Sequence, residues 1–201
     1  MHVVCLDLEG VLVPEIWIEF SKATTIGELR ITTRDEPDYD KLMKYRLAIL
    51  DRNGLKLADI QRVIGGMDPL PGAKAFIDEL KGLAQVIILS DTFTQFAKPL
   101  MAKLGYPTLF CNSLTVEPNG RVSGYELRQQ DGKRKAVEAL HSINMKVFAA
   151  GDSFNDLSMI KTADSGALFR APESIRAQNP GLPAFEEYGE LLGRIKAFIG
   201  E

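Results

Sequence analysis

Asp7 and Glu9 stand two residues apart in the run Asp7-Leu8-Glu9-Gly10-Val11-Leu12, directly after the apolar stretch Val3-Val4-Cys5-Leu6. A carboxylate at the end of a buried strand can act as a nucleophile, and a second one beside it can exchange a proton with the leaving or attacking oxygen. A polar strand-to-loop exit has the same composition, so the pair gains meaning only from its company.

That company comes later in the chain. Gly151-Asp152-Ser153-Phe154-Asn155-Asp156 follows the apolar Phe148-Ala149-Ala150 and reads as a strand end entering a helix, where backbone N–H groups favour an anion. Asp152 and Asp156, about one helical turn apart, suit an oxygen-ligated cation and a carboxylate that orients its shell. Ordinary N-capping by Asp, Ser and Asn is the alternative. Val86-Ile87-Ile88-Leu89 runs into Ser90-Asp91-Thr92, and Ser90 either donates to a phosphoryl oxygen or caps a helix beginning near Thr92. Asp131-Gly132-Lys133-Arg134-Lys135 sets cations before a helical pattern, against the helix dipole. They form a solvated basic cluster, or Lys133 balances phosphate charge.

The elements that must position these residues show in the periodicity. Three apolar runs, Val3 to Leu8, Gln85 to Leu89 and Lys146 to Ala150, alternate with helical patterns, which argues a parallel α/β sheet. Crossover helices are predicted over 73–83, with Phe76, Ile77 and Leu80 on one face, over 94–104, closed by Gly105, and over 133–143, with Ala136, Val137 and Leu140 inward. About sixty residues separate the first strand from the first crossover, too many for a plain loop. Helical periods over 39–51 and 54–65 make residues 14–67 a mostly helical insertion, placed to act as a lid. Glu117-Pro118-Asn119-Gly120, within 111–126, predicts an edge hairpin.

With 201 residues, 45% of them apolar, the chain can bury one core and a small accessory lobe. A net charge of −3 gives no electrostatic footprint for nucleic acid or anionic lipid, so a small solute is the expected partner. Cys5 and Cys111 read as buried thiols of a reducing compartment. No stretch approaches the ~20 apolar residues that span a bilayer, and no basic leader precedes the first run; a cytoplasmic protein is expected.

Taken in order, D-x-E-G-x-L, a strand ending in Ser, a Lys and G-D-S-x-N-D resemble the haloacid dehalogenase-like phosphatase superfamily, whose Rossmann-like core carries a type-one helical cap after the first motif. The resemblance implies a core of residues 1–13 and 68–201 and a cap of residues 14–67. Within the superfamily the chain most resembles the phosphoserine phosphatases, through Gly151 to Asp156, the Asp131-Gly132-Lys133 turn and the hairpin before it. By that resemblance Asp7 is the nucleophile that forms an aspartyl-phosphate, and Mg²⁺ is held by Asp7, the Glu9 carbonyl and Asp152, with Asp156 orienting the shell. Ser90, Asp91, Thr92, Lys133 and Asn155 are then phosphate or substrate contacts.

Most relatives carry Asp where this chain has Glu9, the acid/base that protonates the leaving alkoxide and then activates water. The extra methylene moves the carboxyl by roughly 1 Å, an offset that matters for catalytic geometry. Tyr39, Leu42, Met43, Arg46 and Leu50 share one helical stripe. Arg46 sits near its middle, either with its stem buried and head exposed or as a carboxylate clamp. Arg46 and Glu15 resemble the phosphoserine phosphatase residues that take the substrate's carboxylate and ammonium, with Met43 lining the pocket. The D-L-E-G variant with a small cap resembles those members that also transfer the phosphoryl group from phosphoserine to homoserine. A phosphatase for another phosphomonoester, or a weakened phospho-ligand binder, is the rival reading.

His2 and His141 lack metal-ligand spacing and read as a terminal and a surface residue. Asp35, Glu36, Asp38 and Asp40 lack the Gly of a calcium loop and read as a solvated helix start. Gly65-Gly66 marks the return from the insertion and not a Walker motif.

Overall fold

The computed structural model describes residues 1–33, 35, 36 and 38–201. Its described strands form one seven-stranded sheet: β1 (His2–Leu6), β2 (Gln85–Phe93), β3 (Thr108–Val116), β4 (Val122–Glu126), β5 (Lys146–Gly151), β6 (Ser165–Phe169) and β7 (Ala184–Phe185). The order is β4-β3-β2-β1-β5-β6-β7, with every pairing parallel except β3 with β4. Successive strands leave β1 in opposite directions, so the crevice at the C-terminal end of β1 is the topological switch point of a Rossmann-like sheet.

Period-two alternation explains why both faces of the sheet are covered. Val4 and Leu6 pack with Phe76, Ile77 and Leu80 of α4 (Ala73–Leu83), Phe96 and Leu100 of α5 (Thr94–Lys103), and Leu191 and Ile195 of α9 (Tyr188–Ile199). Val3 and Cys5 face the other way, toward Ala136 and Val137 of α6 (Gly132–Ser142), Met159 and Ile160 of α7 (Leu157–Thr162) and Ile175 of α8 (Glu173–Gln178). Leu140 of α6 is half-buried against that second core. Burial pushes the thiol of Cys5 up to about 12 and that of Cys111 up to about 11, so both stay protonated.

Residues 14–67 carry α1 (Ile16–Thr24), a 3₁₀ turn (Gly27–Arg30), α2 (Tyr39–Arg52) and α3 (Leu57–Gly66). Asp38 starts α2 by accepting from Lys41 N at 3.1 Å, and Asp35, in the same acidic run, accepts from Thr32 N at 2.9 Å. The edge hairpin β3–β4 holds this segment: Leu57 N donates to Gly120 O at 3.0 Å, Tyr125 Oη to Asp40 Oδ1 at 2.9 Å, and Arg121 Nε to Asp51 Oδ1 at 2.6 Å. From the sheet side, Lys103 Nζ donates to Met67 O at 2.5 Å.

Several boundaries differ from the sequence reading. The first strand ends at Leu6 and not Leu8, because Leu12 N and Val13 N turn back onto Leu8 O while Gly10 takes φ 78°. The second strand runs to Phe93, so Ser90 lies within it and caps nothing; α5 begins at Thr94. Gly65-Gly66 forms the last residues of α3, at the end of the insertion. His141 bonds Asp164 at 3.0 Å, and His2 packs edge-on against Phe198.

Candidate active site

The C-terminal end of β1 delivers Asp7, whose N–H donates to Ala150 O at 3.0 Å and so continues the β1–β5 ladder by one residue. The loop behind it is pinned from two sides, by Tyr188 Oη on Val11 O at 2.6 Å and by Leu70 N on Leu12 O at 2.9 Å. At the neighbouring strand end, β5 stops at Gly151 and the chain makes a 3₁₀ turn, Phe154–Asp156, before α7. A regular helix was expected there. The turn instead wraps around Asp156, whose Oδ2 accepts from Asp152 N at 3.1 Å, Ser153 N at 3.0 Å and Ser153 Oγ at 2.8 Å.

Lys133, at the start of α6, reaches into this corner. Its Nζ lies 2.8 Å from Asp7 Oδ1 and 2.6 Å from Asp156 Oδ1, with Asp91 Oδ2 at 3.9 Å. It is 5% exposed, which excludes the solvated basic cluster. Burial alone would lower its pKa, but Asp156, Asp7 and Asp91 outweigh burial and hold the ammonium charged. Burial pushes the Asp7 carboxyl well above the usual carboxylate range, and Asp156 adds to that against the pull of Lys133.

Asp7, Asp152 and Asp156 each offer an oxygen within 4.8 Å of the others, and all three are buried. Three buried carboxyl groups stand there against one ammonium. An all-oxygen set in which acidic groups outnumber that ammonium fits a divalent hard cation, whose charge would favour the ionised form of Asp7.

Glu9 is held differently. Its Oε2 accepts from Ile16 N at 2.8 Å, the first N–H of α1. Burial and the neighbouring Glu15 push its carboxyl up to about 7, opposed by the Ile16 N–H and the Arg46 charge. A carboxyl in that range exchanges protons readily near neutrality.

One cavity collects most of the residues singled out from the sequence: Asp7, Glu9, Glu15, Arg46, Ser90, Asp91, Thr92, Lys133, Asp152 and Asn155 all line it. Asn155 Nδ2 donates to Asp91 Oδ2 at 2.6 Å, tying the 3₁₀ turn to β2. One residue expected to line the pocket does not: Met43 is packed in the core, its sulfur 3.9 Å from Arg46 Nη1. Asp156, expected behind the metal shell, is fully buried.

Arg46 is 6% exposed, so the exposed-head alternative is wrong. Burial lowers its pKa to about 10, countered by Glu9, Tyr39 and Glu15, and the group stays charged at neutral pH. Its Nη2 donates to Ile31 O at 2.8 Å, its guanidinium carbon lies 4.6 Å from the centre of the Trp17 ring, and its Nε has no hydrogen-bond partner. The buried Thr92 hydroxyl lies in the same cavity, beside the Glu9 carboxyl. An unpaired buried donor such as the Arg46 Nε–H is what a bound polar ligand would satisfy.

Sequence reasoning missed Trp17, Thr32, Thr33, Tyr39, Phe93 and Ser153 as lining residues. Tyr39 had a signal, since it shares the α2 stripe with Arg46. Its hydroxyl donates to Asp91 O at 3.0 Å and bridges the helical segment to β2. Thr32 and Thr33 lie in coil, where no period marks them.

A switch-point crevice in a Rossmann-like sheet, holding a buried strand-end carboxyl group, a lysine and an acidic set suited to a hard cation, is the kind of site that handles phosphoryl groups. The chain belongs to the haloacid dehalogenase-like hydrolases, matching that family over residues 1–164. Among relatives, it is 54% identical to "Phosphoserine phosphatase ThrH" of Pseudomonas aeruginosa, over 95% of this chain and 93% of that protein. It is also 54% identical to "Phosphoserine phosphatase" of Pseudomonas syringae pv. tomato, over 95% of this chain and 81% of that one. A substrate-bound phosphoserine phosphatase complex shares the fold, with TM-score 0.79, 21% identity and coverage of 96% of this chain and 97% of that chain. A phospho-aspartyl intermediate analogue of phosphoserine phosphatase aligns with TM-score 0.78, 22% identity and coverage of 96% and 98%. No helix among the described residues is long and apolar enough to cross a membrane.

Proposed function

We propose that this chain is a Mg²⁺-dependent phosphoserine phosphatase that works through an aspartyl-phosphate on Asp7 and also passes the phosphoryl group to homoserine. The observation that carries this reading is that one cavity has Asp7, Ser90 and Lys133 at its sheet side and Glu15 and Arg46 on the helical segment facing them. A substrate with a phosphate at one end and an amino-acid head at the other matches that polarity. In this reading residues 14–67 act as a cap on a core of residues 1–13 and 68–201.

Asp7 attacks phosphorus in line, the phosphorus–oxygen bond to serine breaks, and the Glu9 carboxyl gives its proton to the departing serine oxygen. Water or the homoserine hydroxyl then attacks the phospho-enzyme, Glu9 takes up the proton, and the bond to Asp7 breaks. Lys133 and Ser90 hold the phosphoryl oxygens throughout, with Asn155, Asp91 and Thr92 around them, while Arg46 and Glu15 take the carboxylate and ammonium. Mg²⁺, held by Asp7, the Glu9 carbonyl and Asp152, would neutralise the phosphoryl charge. Homoserine is one methylene longer than serine, so the same head-group clamp accepts it.

The test is turnover of phosphoserine with Mg²⁺, its loss with a chelator, and O-phosphohomoserine in the products when homoserine is added. Tight binding of intact phosphoserine without turnover would make the chain a binder. Free phosphate as the sole product at high homoserine would remove the transferase half. Turnover of other phosphomonoesters in preference to phosphoserine would change the substrate.

A further inference from the structure

Trp17 follows Glu15 by two residues in the first turn of α1, is 7% exposed, and forms part of the cavity wall. Its indole is fixed edge-on against Phe96 of α5, at 5.7 Å between ring centres, and against Phe20 at 6.3 Å. Arg46 arrives from a different helix and lies over that ring at 4.6 Å. An arginine side chain has many rotamers, and a guanidinium binds carboxylate only through its edge, so whatever fixes its plane fixes the direction of its donors. Here the ring covers one face, Ile31 O takes Nη2 at 2.8 Å, and the Nε–H is left as an unpaired buried donor.

We propose that Trp17 is the positioning residue for substrate-carboxylate selectivity, holding the Arg46 guanidinium in the plane in which its free edge meets the carboxylate. This rests on the phosphoserine reading above. In this role Trp17 acts through Arg46, the group it stacks on. A desolvated cation–π contact is strong enough to shift affinity by about tenfold or more.

The experiment compares phosphoserine with phosphoethanolamine, which keeps the ammonium and the phosphate but has no carboxylate. Trp17→Leu is expected to raise KM for phosphoserine about tenfold more than for phosphoethanolamine. Trp17→Phe, which keeps an aromatic face, is expected to recover most of that selectivity. In an Arg46→Ala background, Trp17→Leu is expected to change the ratio no further. Trp17 is the single tryptophan of the chain, so its emission in Asp7→Asn reports binding without turnover. A larger emission change with phosphoserine than with phosphoethanolamine, lost on Arg46→Ala, is expected, and it serves if Trp17→Leu does not fold. Equal KM effects on both substrates, or an emission change indifferent to the carboxylate, would overturn the role of Trp17. Wild-type protein that prefers phosphoethanolamine would instead overturn the phosphoserine reading on which it rests.

Discussion

Lys133 Nζ lies 2.8 Å from Asp7 Oδ1, with both side chains almost wholly removed from water. The ammonium lies between Asp7 and Asp156, and it ties α6 to the end of β1 and to the 3₁₀ turn that follows β5.

Removing that charge is expected to harm stability and catalysis together. Lys133→Met keeps most of the bulk but leaves Asp7 and Asp156 buried without their cation, a loss of about 3–5 kcal/mol. For a chain of this size that is a fall in Tm of roughly 10 °C. The rate on phosphoserine is expected to drop by about 10² or more, since a fixed positive charge at the phosphoryl group is gone. Calorimetry and steady-state kinetics on one preparation check both; an unchanged Tm would mean the carboxylates are not charged around Lys133 in the way the geometry indicates.

Gly151 is the last residue of β5, and a Cβ there would overlap the Asp156 carboxyl. Asp156 cannot give way cheaply, being fully buried and fixed by Lys133, Ser153 and the Asp152 N–H. Gly151→Ala is therefore expected to cost about 1–3 kcal/mol, as overpacking does. Because the damage runs through the Asp156 side chain, its Cβ included, the loss on Gly151→Ala should shrink in an Asp156→Gly background. Strict additivity of the two losses by denaturant titration would break that link.

How far the sequence carried can be judged from single residues. Val3 and Cys5 against Val4 and Leu6 already show two buried faces, and the family resemblance of their motifs put Asp7, Ser90, Lys133 and Asp152 in one site, all four of which line one cavity. Beyond Asp156 the reading named no element: β6 is five residues with a Gly among them and β7 only two, too short for a period to show. The head of Arg46 was undecided because a stripe fixes where a stem goes and says nothing about Ile31 O or Trp17, which come from other parts of the chain. Met43 was on the right stripe but turns into the core, a matter of packing that only the assembled helices decide.

Away from the site, Asp164 sets an acid limit on the fold. Burial alone would raise its pKa, but Lys146, the Val147 N–H and His141 outweigh it and hold the carboxyl at about 2, below its usual 3.8. A group whose pKa is depressed on folding stabilises above its unfolded value and loses that contribution as pH falls through the folded one. Its share, about 1 kcal/mol after solvent screening, is thus expected to vanish between pH 4 and 2. Asp164→Asn should lower stability at pH 7 and flatten the curve in that window; parallel curves for the two proteins would assign the acid limit elsewhere.

On the proposed mechanism, Glu9 bears on which acceptor takes the phosphoryl group. Its Oε2 is anchored on Ile16 N at 2.8 Å, so the longer side chain ties the Glu9 carboxyl to the start of α1, which also carries Glu15 and Trp17. Glu9→Asp withdraws the carboxyl by roughly 1 Å, and it can then keep the Ile16 N–H or its reach into the cavity, not both. The rate on phosphoserine is expected to fall by about ten- to a hundredfold, with KM rising as the α1 turn loosens. Homoserine must be oriented by that turn whereas water need not be, so the yield of O-phosphohomoserine should fall more than that of free phosphate. The measurement is the product ratio at fixed homoserine, wild type against Glu9→Asp. An unchanged ratio alongside a slower rate would show that Glu9 serves both acceptors alike and that the choice between them is made elsewhere in the cavity.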